Sequence, residues 1–126
     1  MRTDATARIL VVEDDEDARE ALIAILEMRG YSAVPAGNGR EALNYLKSAA
    51  SQPDLIILDL WMPVMDGWRF LREQKKDPKF AMVPVVVVTA LSDSAHVDAD
   101  EVIIKPVDVD RLLETVSHYC TPETGP

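Results

Sequence analysis

The sequence predicts a doubly wound α/β fold, five parallel strands with helices on both faces, and three observations carry that expectation. Short apolar, β-rich runs recur at 8–12, 55–58, 83–88 and 102–104, with a weaker one at 31–36. The strongest lack the apolar–polar alternation of a half-wet sheet, so they read as strands covered on both sides. Between them lie segments with apolar residues at helical spacing, and strands alternating with helices imply right-handed crossovers. Turn residues such as Gly37-Asn38-Gly39, Ser51-Gln52-Pro53 and Asp77-Pro78 punctuate the joints.

In chain order, Met1 to Ala7 are a polar lead-in and Arg8 to Val12 the first strand. Five acids follow, Glu13 to Asp17. Such a run is ordinarily a solvated loop, but part of it can start a helix, whose dipole favours acids there. The first helix puts Ala18, Ala21, Leu22, Ile25 and Leu26 on one face and stops at Gly30. Tyr31 to Ala36 form the second strand. Asn38 with Glu41 resembles a capping box for a second helix, which turns Ala42, Leu43 and Leu46 inward and ends near Ser48. Leu55 to Leu58 lead to Asp59. Asp66-Gly67 opens the third helix, with Trp68, Leu71 and Phe70 toward the sheet, and Asp77-Pro78 closes it. Val83 to Val88 run into Thr89, and Val102 to Ile104 into Lys105-Pro106. Asp108 caps the last helix, with Val109, Leu112, Leu113 and Val116 inward. Met62, Met65 and Trp68 read as packing residues and Cys120 as inert. The order expected for such a sheet is flavodoxin-like, 2-1-3-4-5.

The 126 residues are one domain's worth, with a core over 8–119 and a polar tail or linker start at 121–126. A chain of this size buries roughly two-thirds of its unfolded surface and needs no disulfide or structural metal. Twenty-two acids against thirteen bases give a net charge of −9, which argues against nucleic acid as a direct partner. A lone cysteine, with no leader and no long apolar segment, suggests the cytoplasm and no membrane.

Four of the five strands end in a residue of chemical interest: Glu13-Asp14, Asp59, Thr89 and Lys105. Each alone is weak, but parallel strands bring their carboxyl ends to one edge, where ligands of open α/β sheets sit. Two unit charges 4 Å apart interact by about 4 kcal/mol at a protein surface, so crowded carboxylates either rise in pKa or hold a cation. Hard oxygen donors with no histidine or cysteine nearby point to Mg²⁺. Neither His96, in a polar loop, nor His118, in the last helical turn, looks like a ligand. Lys105 offers a point charge and Thr89 a hydroxyl. These are the parts that phosphoryl transfer to an aspartate needs.

The motifs Ile-Leu-Val-Val-Glu-Asp at 9–14, Asp-Leu-Trp-Met-Pro-Val-Met-Asp-Gly at 59–67, Thr-Ala at 89–90 and Lys-Pro at 105–106 resemble the receiver domain of two-component response regulators over about Arg8 to Tyr119. The resemblance implies a signalling switch rather than an enzyme, promoting only its own phosphoryl transfer and dephosphorylation. Asp59 would accept the phosphoryl group from a sensor histidine kinase or phosphotransfer protein and so change the binding of a downstream target. Asp14 and Asp59 would bind Mg²⁺ with the backbone carbonyl of Trp61, Glu13 would act through water, and Asp15 would lie just outside. Thr89 and Lys105 would contact the phosphoryl group, and Lys105-Pro106 would be cis, as an X–Pro bond allows.

Two features depart from the family. Val102 stands where receivers usually carry an aromatic, so the usual aromatic relay is absent; valine suits a strand there. Leu91 to Asp100 leave only ten residues for a crossover, a fourth helix shortened by roughly one and a half turns. The family's usual dimer mode is therefore not carried over. Trp61, expected half exposed, is placed to shield the acyl phosphate from water. Three other readings compete. An electron carrier of this topology needs a phosphate cradle where Glu13-Asp14-Asp15 would repel it. An aspartate-dependent phosphatase of the haloacid dehalogenase type wants an acid at position 61. A receiver-like interaction module working without phosphorylation is the remaining alternative.

Overall fold

The apolar runs pair into one parallel sheet. In this computed structural model, which describes residues 7–90, 92 and 97–120, the strands are β1 (Arg8–Val12), β2 (Ser32–Ala36), β3 (Leu55–Asp59), β4 (Val85–Thr89) and β5 (Glu101–Ile104). Their order is β2-β1-β3-β4-β5, the expected flavodoxin-like order, and every pairing is parallel. Four helices are described: α1 (Glu16–Met28), α2 (Gly39–Ser48), α3 (Gly67–Lys76) and α4 (Val109–Tyr119). None is long and apolar enough to cross a membrane.

The sheet has two cores because side chains alternate across it. Leu10, Val12, Ile56, Leu58 and Val87 pack beneath α2 and α3, while Ile9, Val11, Ile57, Val86 and Ile103 pack beneath α1 and α4. A strand buried on both faces can be apolar at every position, which is why these runs carry no alternation. Each fully buried Leu, Ile or Val contributes about 1.5–3 kcal/mol.

Several boundaries and faces differ from expectation. β4 begins at Val85 rather than Val83: Pro84 has no N–H to place in a ladder, although its carbonyl accepts the Ile56 N–H at 2.9 Å. β2 begins at Ser32 rather than Tyr31, and β5 one residue early at Glu101. On α1 the inner stripe runs through Leu22, Ile23, Ile25 and Leu26. At about 100° per residue, that stripe leaves Ala21 on the exposed side. Val109 is 42% exposed because it sits beside the cap, at the uncovered first turn of α4. The shortened fourth helix expected at 91–100, with His96, lies largely outside the described residues. Of that stretch, Val97 and Ala99 pack on the α2/α3 core, and the Asp100 carboxylate accepts the Val85 N–H at 2.8 Å.

Candidate functional site

The parallel ladders carry past their last apolar residues and deliver polar groups to one edge. The Glu13 N–H donates to the Ala36 carbonyl at 3.0 Å, and the Lys105 N–H to the Thr89 carbonyl at 2.8 Å. Asp59 is the last residue of β3 and pairs in register with Val88, one before Thr89. Glu13, Asp14 and Asp59 each place a carboxylate oxygen within 4.8 Å of the others. Lys105 Nζ lies 3.4 Å from Asp59 Oδ1. The expected acids and the lysine are thus brought together. Thr89 is buried at the end of β4, and its hydroxyl has no hydrogen-bond partner among the described residues.

Burial sets the electrostatics. Glu13 is 6% exposed and its pKa is pushed up to about 7, chiefly by loss of solvent, with Asp59 and Asp14 adding to the rise. The Asp15 N–H, which donates to Glu13 Oε2 at 3.1 Å, and the Lys105 charge pull it back. Asp59 is raised too, by burial first and by Asp14, against the opposing pull of Lys105. Both shifts mark a place where a cation would relieve the acids. The donors are hard oxygens on groups that ionise more readily beside a cation, so the residues fit Mg²⁺.

The walls of the site are held by backbone contacts that motif spacing does not reveal. Arg19 Nη1 donates to the Glu13 carbonyl at 2.8 Å, pinning the acidic turn from α1. In the loop after Asp59, the Leu60 carbonyl accepts the Gly67 N–H at 2.8 Å and the Met65 carbonyl accepts the Gly39 N–H at 3.0 Å. The loop is thereby tied to the first residues of α3 and α2. Both approaches need glycine: a Cβ on Gly67 would stand 2.7 Å from the Asp59 carbonyl oxygen, and one on Gly39 2.8 Å from that of Met65. Met62 and Met65 are buried under the loop, as packing residues should be.

At the loop's crest the Met65 N–H donates to the Pro63 carbonyl at 2.7 Å around Val64, whose φ is +68°. That is a γ-turn of the rarer hand on a β-branched residue, an uncommon combination. Trp61 is 60% exposed, and its ring meets Trp68 edge-on with centroids 4.8 Å apart. The Lys105–Pro106 peptide is cis. Val102, where an aromatic was the family expectation, is half-buried on the α2/α3 core.

Residues 9–117 match the family model of the response regulator receiver domain. A probable transcriptional regulator ycf27 of Guillardia theta is 37% identical over 111 residues, which are 83% of this chain and 42% of that protein. The chain therefore spans less than half of that relative's length. Protein PilH of Pseudomonas aeruginosa is 30% identical over 117 residues, 88% of this chain and 95% of its own. Among solved structures, the signal receiver domain of a signal transduction histidine kinase from Syntrophus aciditrophicus superposes with a TM-score of 0.85 at 36% identity, covering 96% of this chain and 95% of that one.

Proposed function

The chain belongs to the response regulator receiver family, and from that membership we propose that Asp59 accepts a phosphoryl group from a phosphohistidine of a sensor histidine kinase or phosphotransfer protein. Receiver domains in response regulators are signalling switches rather than enzymes acting on a separate substrate. The observation that carries the reading is the buried Asp59 carboxylate with Lys105 Nζ at 3.4 Å, on the same strand edge as the buried Thr89 hydroxyl.

A carboxylate oxygen of Asp59 attacks phosphorus, the new O–P bond forms as the P–N bond breaks, and the electron pair stays on the imidazole nitrogen. Lys105 transfers its ammonium from Asp59 to a phosphoryl oxygen, and the Thr89 O–H donates to another. Attack of water on phosphorus later breaks the Asp59 O–P bond, releasing inorganic phosphate and returning the carboxylate, which is the domain's own dephosphorylation. Asp14, Asp59 and the Trp61 carbonyl would hold Mg²⁺, with Glu13 acting through water; when bound, the ion supplies the charge that lets the acids and the phosphoryl group share one site. The domain acts as one unit over 8–119, in the cytoplasm, and a downstream protein reads its state.

The test is intact mass spectrometry after incubation with Mg²⁺ and a small acyl phosphate. The wild type gains the mass of one phosphoryl group only with Mg²⁺, and Asp59→Asn gains none. An unmodified wild type would turn the reading to the phosphorylation-independent interaction module.

A further inference from the structure

The two helical layers carry opposite charge. On one face, α2 and α3 hold Arg40, Lys47, Arg69, Arg72, Lys75 and Lys76 against two acids, Glu41 and Glu73. On the other, α1 and α4 hold Glu16, Asp17, Glu20, Glu27, Asp110 and Glu114 against two bases, Arg19 and Arg111. Six bases with two acids give +4 on α2 and α3 together, and the reverse gives −4 on α1 and α4, in a chain of net −9. Nothing in the phosphoryl site requires this separation.

The basic layer also has a groove. Trp68, Leu71, Arg72, Lys75 and Lys76 of α3, together with Asp98, line a space of about 370 Å³. Its floor is the half-buried Trp68 ring and the side of Leu71; its rim is the exposed Arg72, Lys75 and Lys76. Lys76 makes a 3.5 Å pair with Glu73 that is largely in solvent, and such a pair contributes little. The Trp61–Trp68 contact joins this groove to the loop that follows Asp59.

We propose that the α3 groove docks an acidic segment of a partner protein, with an apolar side chain against Trp68 and carboxylates on Arg72 and Lys75. An aromatic floor with a cationic rim selects that chemistry, the apolar contact supplying affinity and the charges supplying orientation and rate. A second copy of this chain is a poor occupant because two molecules of net −9 repel one another. Nucleic acid is a poor one because the acids around the rest of the surface repel a phosphate backbone. The inference stands on charge and shape, independently of whether Asp59 is phosphorylated.

Of the chain's two tryptophans, Trp68 lines the groove and Trp61 touches the Trp68 ring, so intrinsic fluorescence reads the groove. The probes are two helical peptides of equal length, each with leucine on one face, one with glutamate and the other with lysine on the opposite face. The glutamate peptide is expected to shift the emission saturably, with affinity falling about tenfold or more as salt rises from low to high. The lysine peptide should leave it unchanged. In Arg72→Glu/Lys75→Glu the preference should invert, a gain that misfolding cannot produce, while phosphorylation from acyl phosphate persists. Equal response to both peptides, no saturable response, or a preference unmoved by the charge reversal overturns the proposal. Displacement of the peptide by an oligonucleotide, or sedimentation as a dimer held by this face, overturns it in favour of those occupants.

Discussion

At the strand ends, burial holds Glu13 protonated up to about pH 7 and raises Asp59 as well. A carboxyl whose folded pKa lies above its unfolded value gives stability that is whole below the unfolded pKa and lost as pH rises through the folded one. The metal-free protein should therefore lose stability between about pH 4.5 and pH 7 on account of Glu13, with Asp59 acting in the same direction. Mg²⁺ needs ionised carboxylates and displaces their protons, so its stabilising effect should be larger at pH 8 than at pH 5. Thermal unfolding with and without Mg²⁺ at the two pH values checks this; an equal Mg²⁺ effect at both would contradict it. Val64 poses a different residue-scale problem. Its positive φ costs on the order of 1–3 kcal/mol in a β-branched residue, and at 75% exposure it gains little packing in return. Val64→Gly relieves that strain but frees the unfolded chain by about 0.4–1 kcal/mol. A net gain of about 1 kcal/mol is expected from denaturant melts, and a loss would mean that the loop does not hold the turn.

At the scale of elements, the joints decide the site. Helix caps were legible in the sequence because their chemistry is local. The Asn38 side chain accepts the Glu41 N–H at 2.9 Å, and the Asp66 side chain accepts the Arg69 N–H at 2.9 Å. The capping box was right in its residues and off by one in its return bond: Glu41 accepts the Gly37 N–H at 2.8 Å. The inner face of α1 was less legible, since alanine suits either side of a helix, and Ile23 rather than Ala21 meets the sheet. The junction from β3 to α3 carries the sharpest consequence. Gly67 lets α3 start against the backbone of Asp59 and Leu60, and a methyl there meets backbone atoms that cannot step aside. Gly67→Ala should destabilise the fold by roughly 1–3 kcal/mol, the cost of overpacking, and lower phosphorylation by displacing Asp59. Unaltered stability with unaltered phosphorylation would show that the junction yields freely.

Across the whole molecule, the last helix closes the α1/α4 core over Cys120, which is 3% exposed. Burial, with the Asp54 carboxylate adding, pushes its thiol up to about 12. The folded protein should resist iodoacetamide at pH 8 and react only as it unfolds, so that alkylation rate reports global opening. Native labelling at the rate of a free thiol would refute this burial. The parallel sheet, its five strands and the convergence of Glu13, Asp14, Asp59, Thr89 and Lys105 were determined by the sequence itself. Apolar runs and turn residues are local signals, and parallel strands must bring their ends to one edge. Only the tertiary structure decided how far Glu13 is raised, which glycines must admit a neighbouring carbonyl, that Arg19 pins the acidic turn, and that charge divides between the two layers. Each of those depends on groups distant in the chain meeting in space, where desolvation, close contact and field are set by packing rather than by residue type.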